Sequence, residues 1–512
     1  MQKVVIICFL LFSLLSACSN NKESFQNKEE KKEKVEHQQV VKEAQVEEEK
    51  KREIPAYPKA AKRALPVSTQ HDGIVNFNPD PIMNENKATY ILDLTMVSTG
   101  EFKATAEVRV ENISTDTWNE IVFYFIPNAF TTENKPEFME SAAEVSIEEL
   151  KIDGENANFI LEHDTLYLPV EMGFKPGEQK SVKVTYSFTL PEHGNRFSKN
   201  SNNFYLAEWY PMLATYHSGW KKEDYIPGGE SYYTDFSDFT VKYNLPEDYL
   251  VMSSADDDPD VPSKKGELHG LNIKEFYLAF TKNMQLVKNK ADGIEVRVAG
   301  TADGENLEKL LETAVNAISF FSEKISPYPQ KQIDIIADEG GMEYPGIVTV
   351  GKVEGDFSDQ GRISTYFALI HEIAHQWFYG VVNSDPYYDT YLDEGLTNFS
   401  TYLFLIAHDK KTPGEAFRDA NEIVNRTEGA PPIARLPLHE YKNRGFMVSN
   451  YELPALKLWE LTKDEKTAFD YLKKYVELYS YKEVDSYEWI RFTKAYFNIE
   501  DDAFFRDWIA YE

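Results

Sequence analysis

The sequence predicts a multidomain α+β protein, in which an all-β N-terminal part, saddle-shaped or a sandwich, precedes an α-rich part with a little sheet. Three observations carry this. At 512 residues the chain is too long for one ordinary domain of about 100–200 residues. From about Ala88 to Gly300 apolar residues fall on every second position, the period of half-buried strands. After Gly300 the period lengthens to that of amphipathic helices.

Residues 1–18 read as an export signal: Lys3 is the positive start, Val4–Leu15 the apolar stretch, and Leu15-Ser16-Ala17-Cys18 the close. The stretch is too short to span a bilayer comfortably. Its end resembles a bacterial lipobox, which implies a lipoprotein signal peptide, a lipid on Cys18 and a membrane anchor facing outside. An ordinary secretory signal with an incidental cysteine is the alternative. Residues 19–65 are expected to be a charged, flexible tether. Ser19–Glu53 alone holds nine Lys/Arg and ten Glu with few large apolar residues, too little to offset ordering entropy.

Residues 75–300 form the expected β-domain. Phe102 to Val110, Val182 to Leu190, Phe239 to Leu245, Phe276 to Phe280 and Ile294 to Val298 all alternate, with Pro191, Pro246 and Gly293 as breakers between them. Residues 301–512 form the second domain. Leu307, Leu310, Leu311, Ala314, Ile318, Phe321 and Ile325 mark one helix face, and Ile333–Ala337 a short buried strand. Helical patterns follow near 366–379, 392–408, 454–461, 468–481, 487–497 and 503–509, with an irregular loop over 426–446.

Composition narrows the function. With 54 Lys+Arg against 85 Asp+Glu, the net charge is −31. The signal and tether are nearly balanced, so the globular part carries this charge and would repel nucleic-acid phosphates. An acidic cleft that attracts cationic substrate ends is compatible with it. The only cysteines are Cys8 and Cys18, so in the body of the chain any metal is held by His, Asp or Glu.

His371-Glu372-Ile373-Ala374-His375 sits in a helical pattern with apolar neighbours. Residues four apart share a helix face, so both imidazoles can reach one Zn²⁺ at about 2.0–2.1 Å. Glu372, turned about 100° from His371, flanks the water such an ion holds and can accept its proton. A catalytic zinc takes three protein ligands and leaves one position open. Glu394, eighteen residues after His375 in Tyr391-Leu392-Asp393-Glu394-Gly395, supplies the third from the start of the next helix.

H-E-x-x-H, eighteen residues, then Glu within L-D-E-G resembles the zinc aminopeptidases of the aminopeptidase N type, gluzincin metallopeptidases related to thermolysin by their catalytic domain. Gly340-Gly341-Met342-Glu343-Tyr344-Pro345-Gly346 is similar to that family's G-x-M-E-N strand. The resemblance makes Gly340, Gly341 and Met342 a substrate-pairing edge and Glu343 the grip on the peptide's α-ammonium. Tyr451-Glu452-Leu453-Pro454 is similar to the Tyr-x-Lys-Gly segment, which makes Tyr451 the phenol that hydrogen-bonds the developing oxyanion.

The likeness runs from about Ala88 to the C-terminus and is weaker in the β-domain, where it rests on strand pattern and Trp209-Tyr210-Pro211-Met212-Leu213. It departs at Tyr344, where Asn is usual, at Leu453, where Lys is usual, and at Thr401, where many members have a glutamate bonded to a zinc-bound histidine. A second amine-binding residue is not placed; Glu208 is the candidate. The chain ends with the catalytic domain, which implies a short form with an open cleft.

The expectation is a lipid-anchored extracellular aminopeptidase with one zinc per chain and peptides as substrate. A zinc endopeptidase and a peptide-binding surface lipoprotein stay open as alternatives.

Overall fold

The computed structural model describes residues 63–65 and 73–511, apart from 195, 227–228, 339, 354–363, 428–432 and 442–443. The export signal with Cys18, and tether residues 19–62, lie outside the described residues. Arg63 and Leu65 correct the tether's end. Arg63 donates to Asp485 at 2.8 and 2.6 Å and lies over the Tyr487 ring, while Leu65 is buried in the core of the helical part. An available carboxylate and an apolar slot hold a stretch that composition alone marks as loose.

The β-part is built on a long, curled sheet. Asn86–Ser98 (β1) pairs antiparallel with Glu101–Asn112 (β2), β2 with Gln179–Thr189 (β3), and β1 runs parallel to Ser237–Ser253 (β4). Strict alternation puts Leu92, Leu94, Ala104, Ala106, Val108, Val182, Val184 and Tyr186 on the buried face. A smaller sheet containing Trp118–Tyr124 and Thr165–Phe174 covers that face, with Phe125 edge-on to Tyr186. Pro246 does not separate strands as expected, for β4 runs through it. Pairing with β1 ends at Asn244 and the partner strand is irregular between Asn244 and Tyr249, so the missing N–H removes no ladder bond to β1. Beyond this point Leu250–Ser253 pairs with Leu278–Thr281 and carries the sheet towards the second part.

The boundary at Gly300 is also corrected. Gln285–Ala291 (β5) and Ile294–Gly300 (β6) form a hairpin that pairs, through β6, parallel with Gln332–Ala337 (β7), which pairs parallel with Ile347–Val350 (β8). Alternation reveals a strand but not its partner, so the hairpin reads like its predecessors while belonging to the next sheet. Helix α1 (Gly304–Lys324) makes the β6–β7 crossover; Asp303 caps it by accepting from the Asn306 N–H. Helices α2 (Thr365–Phe378), α3 (Thr390–Ala407), α4 (Leu453–Thr462), α5 (Glu465–Tyr479) and α6 (Ser486–Phe497) follow, close to the predicted positions. Among the described residues no helix is long and apolar enough to cross a membrane.

The two parts share buried contacts. Tyr205, Met252 and Tyr277 from the β-part pack with Ile336, Tyr344 and Ile347. Arg297 of β6, fully buried, lies 3.4 Å from Asp334 and donates to the Val251 and Asp258 carbonyls of the β-part at 3.0 and 3.1 Å. Arg297→Ala leaves Asp334 buried without its cation and should lower the unfolding free energy by about 3–5 kcal/mol, read from urea denaturation.

Candidate active site

Helix α2 begins at Ser364, whose hydroxyl accepts from the Phe367 N–H at 3.1 Å, and it is buried along most of its length. It packs on α3, and the contact closes a triangle. His371 Nε2 and His375 Nε2 are 3.1 Å apart, and each is 3.2 Å from Glu394 Oε2. Donors bound at 2.0–2.1 Å and tetrahedral angles would be separated by about 3.3 Å. Three lone-pair atoms at nearly that spacing, none needed to close a helix or sheet, form a donor set that fits one zinc ion.

The neighbours of this triangle are equally specific. Asp393, one residue before Glu394, sits 2.6 Å from His375 Nδ1, and the Thr397 hydroxyl 3.1 Å from the same nitrogen. A buried carboxylate on the far ring nitrogen fixes the imidazole and strengthens it as a ligand. Sequence reasoning sought this partner at Thr401 and missed it. Thr401 instead donates to the Thr397 carbonyl of its own helix. The signal was the acid already present in L-D-E-G.

Tyr451 donates to Glu394 Oε1 at 2.5 Å, and its ring lies 5.9 Å from that of His371, nearly parallel. Burial and then the Glu394 charge push the phenol well above its usual pKa, so it stays a neutral donor.

Gly340–Tyr344 doubles back on β8. Tyr344-Pro345-Gly346-Ile347 is a tight turn closed by Ile347 N–H to Tyr344 O at 3.1 Å, with Gly346 at φ +76°, the pattern of a type II turn. Met342 and Thr349 exchange both backbone bonds, at 3.2 and 2.9 Å. The turn is clamped to the metal helix by Gln376, next to His375: its amide accepts from Gly346 N–H at 2.9 Å and donates to Tyr344 O at 3.1 Å. Gln376 too was missed, because one glutamine in an apolar helix carries no motif. A Cβ on Gly341 would lie 2.4 Å from Glu372 Oε1, so glycine is what lets the carboxylate of α2 approach this edge.

The structure thus gathers His371, Glu372, His375, Glu394, Tyr451, Gly341 and Glu343. Oxygen and nitrogen atoms of Glu343, His375 and Asp393 lie within 4.8 Å of one another. Burial and then the charge of Glu230 push the Glu343 carboxyl well above the ordinary range. Glu208 is buried 3.4 Å from Arg196, which also contacts Glu230, and burial raises its carboxyl to about 7. Tyr344, at the position where the resembled family usually has Asn, stacks on Tyr277 at 4.3 Å inside the core shared by the two parts.

An H-E-x-x-H helix completed by a glutamate from the next helix, beside a β-rich part, defines a gluzincin metallopeptidase fold and site. Residues 310–428 match the Peptidase family M1 domain, so this segment is similar to gluzincin peptidases of the aminopeptidase N type. The chain is 28% identical over 189 residues to Aminopeptidase M1 of Arabidopsis thaliana, covering 32% of this chain and 21% of that one. It is 26% identical over 219 residues to Aminopeptidase N of Lactococcus lactis subsp. lactis (strain IL1403), covering 38% and 25%. The chain therefore spans about a quarter or less of these curated relatives. The fold is similar to that of an M1 zinc metallopeptidase from Deinococcus radiodurans, with a TM-score of 0.62 at 14% identity over 84% of this chain and 95% of that one.

Asp393→Asn keeps the shape but removes the charge behind His375. Zinc affinity, measured by chelator competition, should fall about 10–100-fold, with the fold of the metal-free protein unchanged.

Proposed function

We propose that the chain is a zinc aminopeptidase that removes N-terminal residues from peptides. The observation that carries this reading is Glu343. It is a buried acid at the end of the Gly340–Met342 segment, beside the metal donors and crowded by further acids, where a cationic chain end would be welcome. Solved neighbours include a form of the Deinococcus radiodurans protein bound to a Tyr-Ser-Ala substrate.

Held by His371, His375 and Glu394, a Zn²⁺ would polarise the scissile carbonyl and lower the pKa of a water towards about 7. The chain's own groups do the rest. Backbone of Gly340–Met342 pairs with the peptide, and Glu343, with Glu230 nearby, takes the α-ammonium, so only the first peptide bond lies over the metal. Glu372 Oε1, against Gly341, accepts the proton of the attacking water and returns it to the departing amine. Tyr451 donates its O–H to the carbonyl oxygen as charge develops there.

One peptide compared with free and N-acetylated ends tests this reading. Acetylation should lower kcat/KM about 10²-fold or more in the wild type, and Glu343→Ala should shrink that preference while zinc stays bound. Glu372→Gln should keep zinc and lose turnover. Equal rates on both ends in the wild type would overturn the aminopeptidase reading and leave an endopeptidase.

We also propose that export and a lipid on Cys18 anchor the protein to the outer face of the cell membrane. Support comes from Leu15-Ser16-Ala17-Cys18 and the charged stretch after it. Mass spectrometry of the membrane fraction should find diacylglycerol on Cys18, and Cys18→Ala should abolish it. An unmodified wild-type cysteine would refute the anchor.

A further inference from the structure

Tyr451 lies in an unusual turn. Residues Val448–Glu452 form a π-helix between the short helix Arg444–Met447 and α4, closed by the Leu453 N–H on the Val448 carbonyl. Pro454 explains the widening. It has no N–H to give the Asn450 carbonyl four residues back, and its ring would crowd that carbonyl in a regular helix. The extra residue brings Tyr451 round towards Glu394.

The turn is held by the helix that carries Glu394. Glu452, adjacent to Tyr451 and buried, accepts from Tyr402 O–H at 2.7 Å and from Asn398 Nδ2 at 3.2 Å, both on Oε2. Glu394, Asn398 and Tyr402 stand four residues apart along one face of α3. Between them Gly395 leaves room for the contact: a Cβ there would meet Pro454 Cβ at 2.6 Å and the Asn450 carbonyl at 3.1 Å. One helix face therefore fixes both a metal donor and, through Glu452, the residue beside the phenol that bonds to that donor.

We propose that Glu452 is a positioning residue for the reaction: its two hydrogen bonds to α3 set the register of the π-turn, and hence the place of the Tyr451 phenol. This rests on the peptidase reading above. Glu452 bonds to α3 through Asn398 and Tyr402 and is not one of the three metal donors. Removing it releases the phenol without removing it, so transition-state stabilisation falls while substrate binding is kept.

A double-mutant cycle on hydrolysis of an aminoacyl anilide, with zinc content measured in each variant, tests the proposal. Tyr451→Phe should lower kcat about 10²–10³-fold. Glu452→Ala should lower kcat about 10-fold or more with KM changed less than about 3-fold and zinc retained, since small misplacement of a reacting group is costly. In the Tyr451→Phe background Glu452→Ala should cost nothing further. Glu452→Gln, whose amide oxygen still accepts, should recover most of the rate. Tyr402→Phe removes one of the two bonds with little change of shape, and it takes the place of Glu452→Ala if that variant does not fold. Unchanged kcat in Glu452→Ala, or an equal loss with and without the Tyr451 hydroxyl, would overturn the positioning role alone. Full activity in Tyr451→Phe would overturn the role of the phenol itself, and the positioning role with it.

Discussion

Two imidazole nitrogens and a carboxylate oxygen 3.1–3.2 Å apart, all with little access to water, compete for protons unless a cation sits among them, and the packing of α2 on α3 holds them there. This convergence gathers three ionisable side chains at one point. It is maintained by ordinary packing: α2 is apolar around most of its circumference, and α3 is buried from Thr390 to Ile406 except at Glu394 itself. The helices are fixed by hydrophobic burial, and the donors go where the helices put them. A metal ion held by these donors would take the place of their protons, which would link folding energy to metal affinity.

The acids around the triangle extend the same constraint. Glu343, Glu230, Glu208 and Glu275 lie within one largely buried region with Arg196 and Lys274 as the cations. Burial, then Glu230, lift Glu275 to about 8, and it is held by hydroxyls of Tyr232 and Tyr379. Tyr379 follows the last residue of α2, and Lys274 lies over its ring at 3.5 Å. The metal helix is thus pinned at its C-terminal end by the β-part. Acidic groups in excess of fixed cations make a region where an incoming charged amine is stabilised and a further anion is not.

How much of this was legible depends on how locally each feature is encoded. His371, Glu372 and His375 are set by helix periodicity within five residues, and Glu394 by one helix-to-helix turn; their spacing carries the chemistry. The Pro345-Gly346 turn was visible as residues, but its partner Gln376 was not, because the link spans thirty residues and uses backbone atoms. Strand β6 alternates like the strands before it, and only the fully buried β7 beside it shows to which sheet it belongs. Arg63 and Leu65 were read with the charged run that precedes them, since burial on a distant helix leaves no trace in local composition. Asp393 was hidden by its own motif: next to a metal ligand, it read as context for Glu394 and not as the partner of His375.

Hydrogen bonds tie the Gly340–Tyr344 segment to the helix that carries the histidine donors, which bears on how a substrate would be placed. Gln376 follows His375 directly, and its side chain satisfies both ends of the turn that folds Gly340–Tyr344 onto β8. Met342 uses its backbone pair on Thr349, and the other side of an extended segment has the geometry to pair with a peptide. Because the turn is bonded to the residue beside a ligand, movement of the edge relative to the metal requires movement of α2, whose buried face resists it. Preorganisation of this kind costs nothing at the moment of reaction. It explains why this chain carries glycine at 341, where Glu372 lies against the backbone, while the Tyr344 ring packs into the shared core.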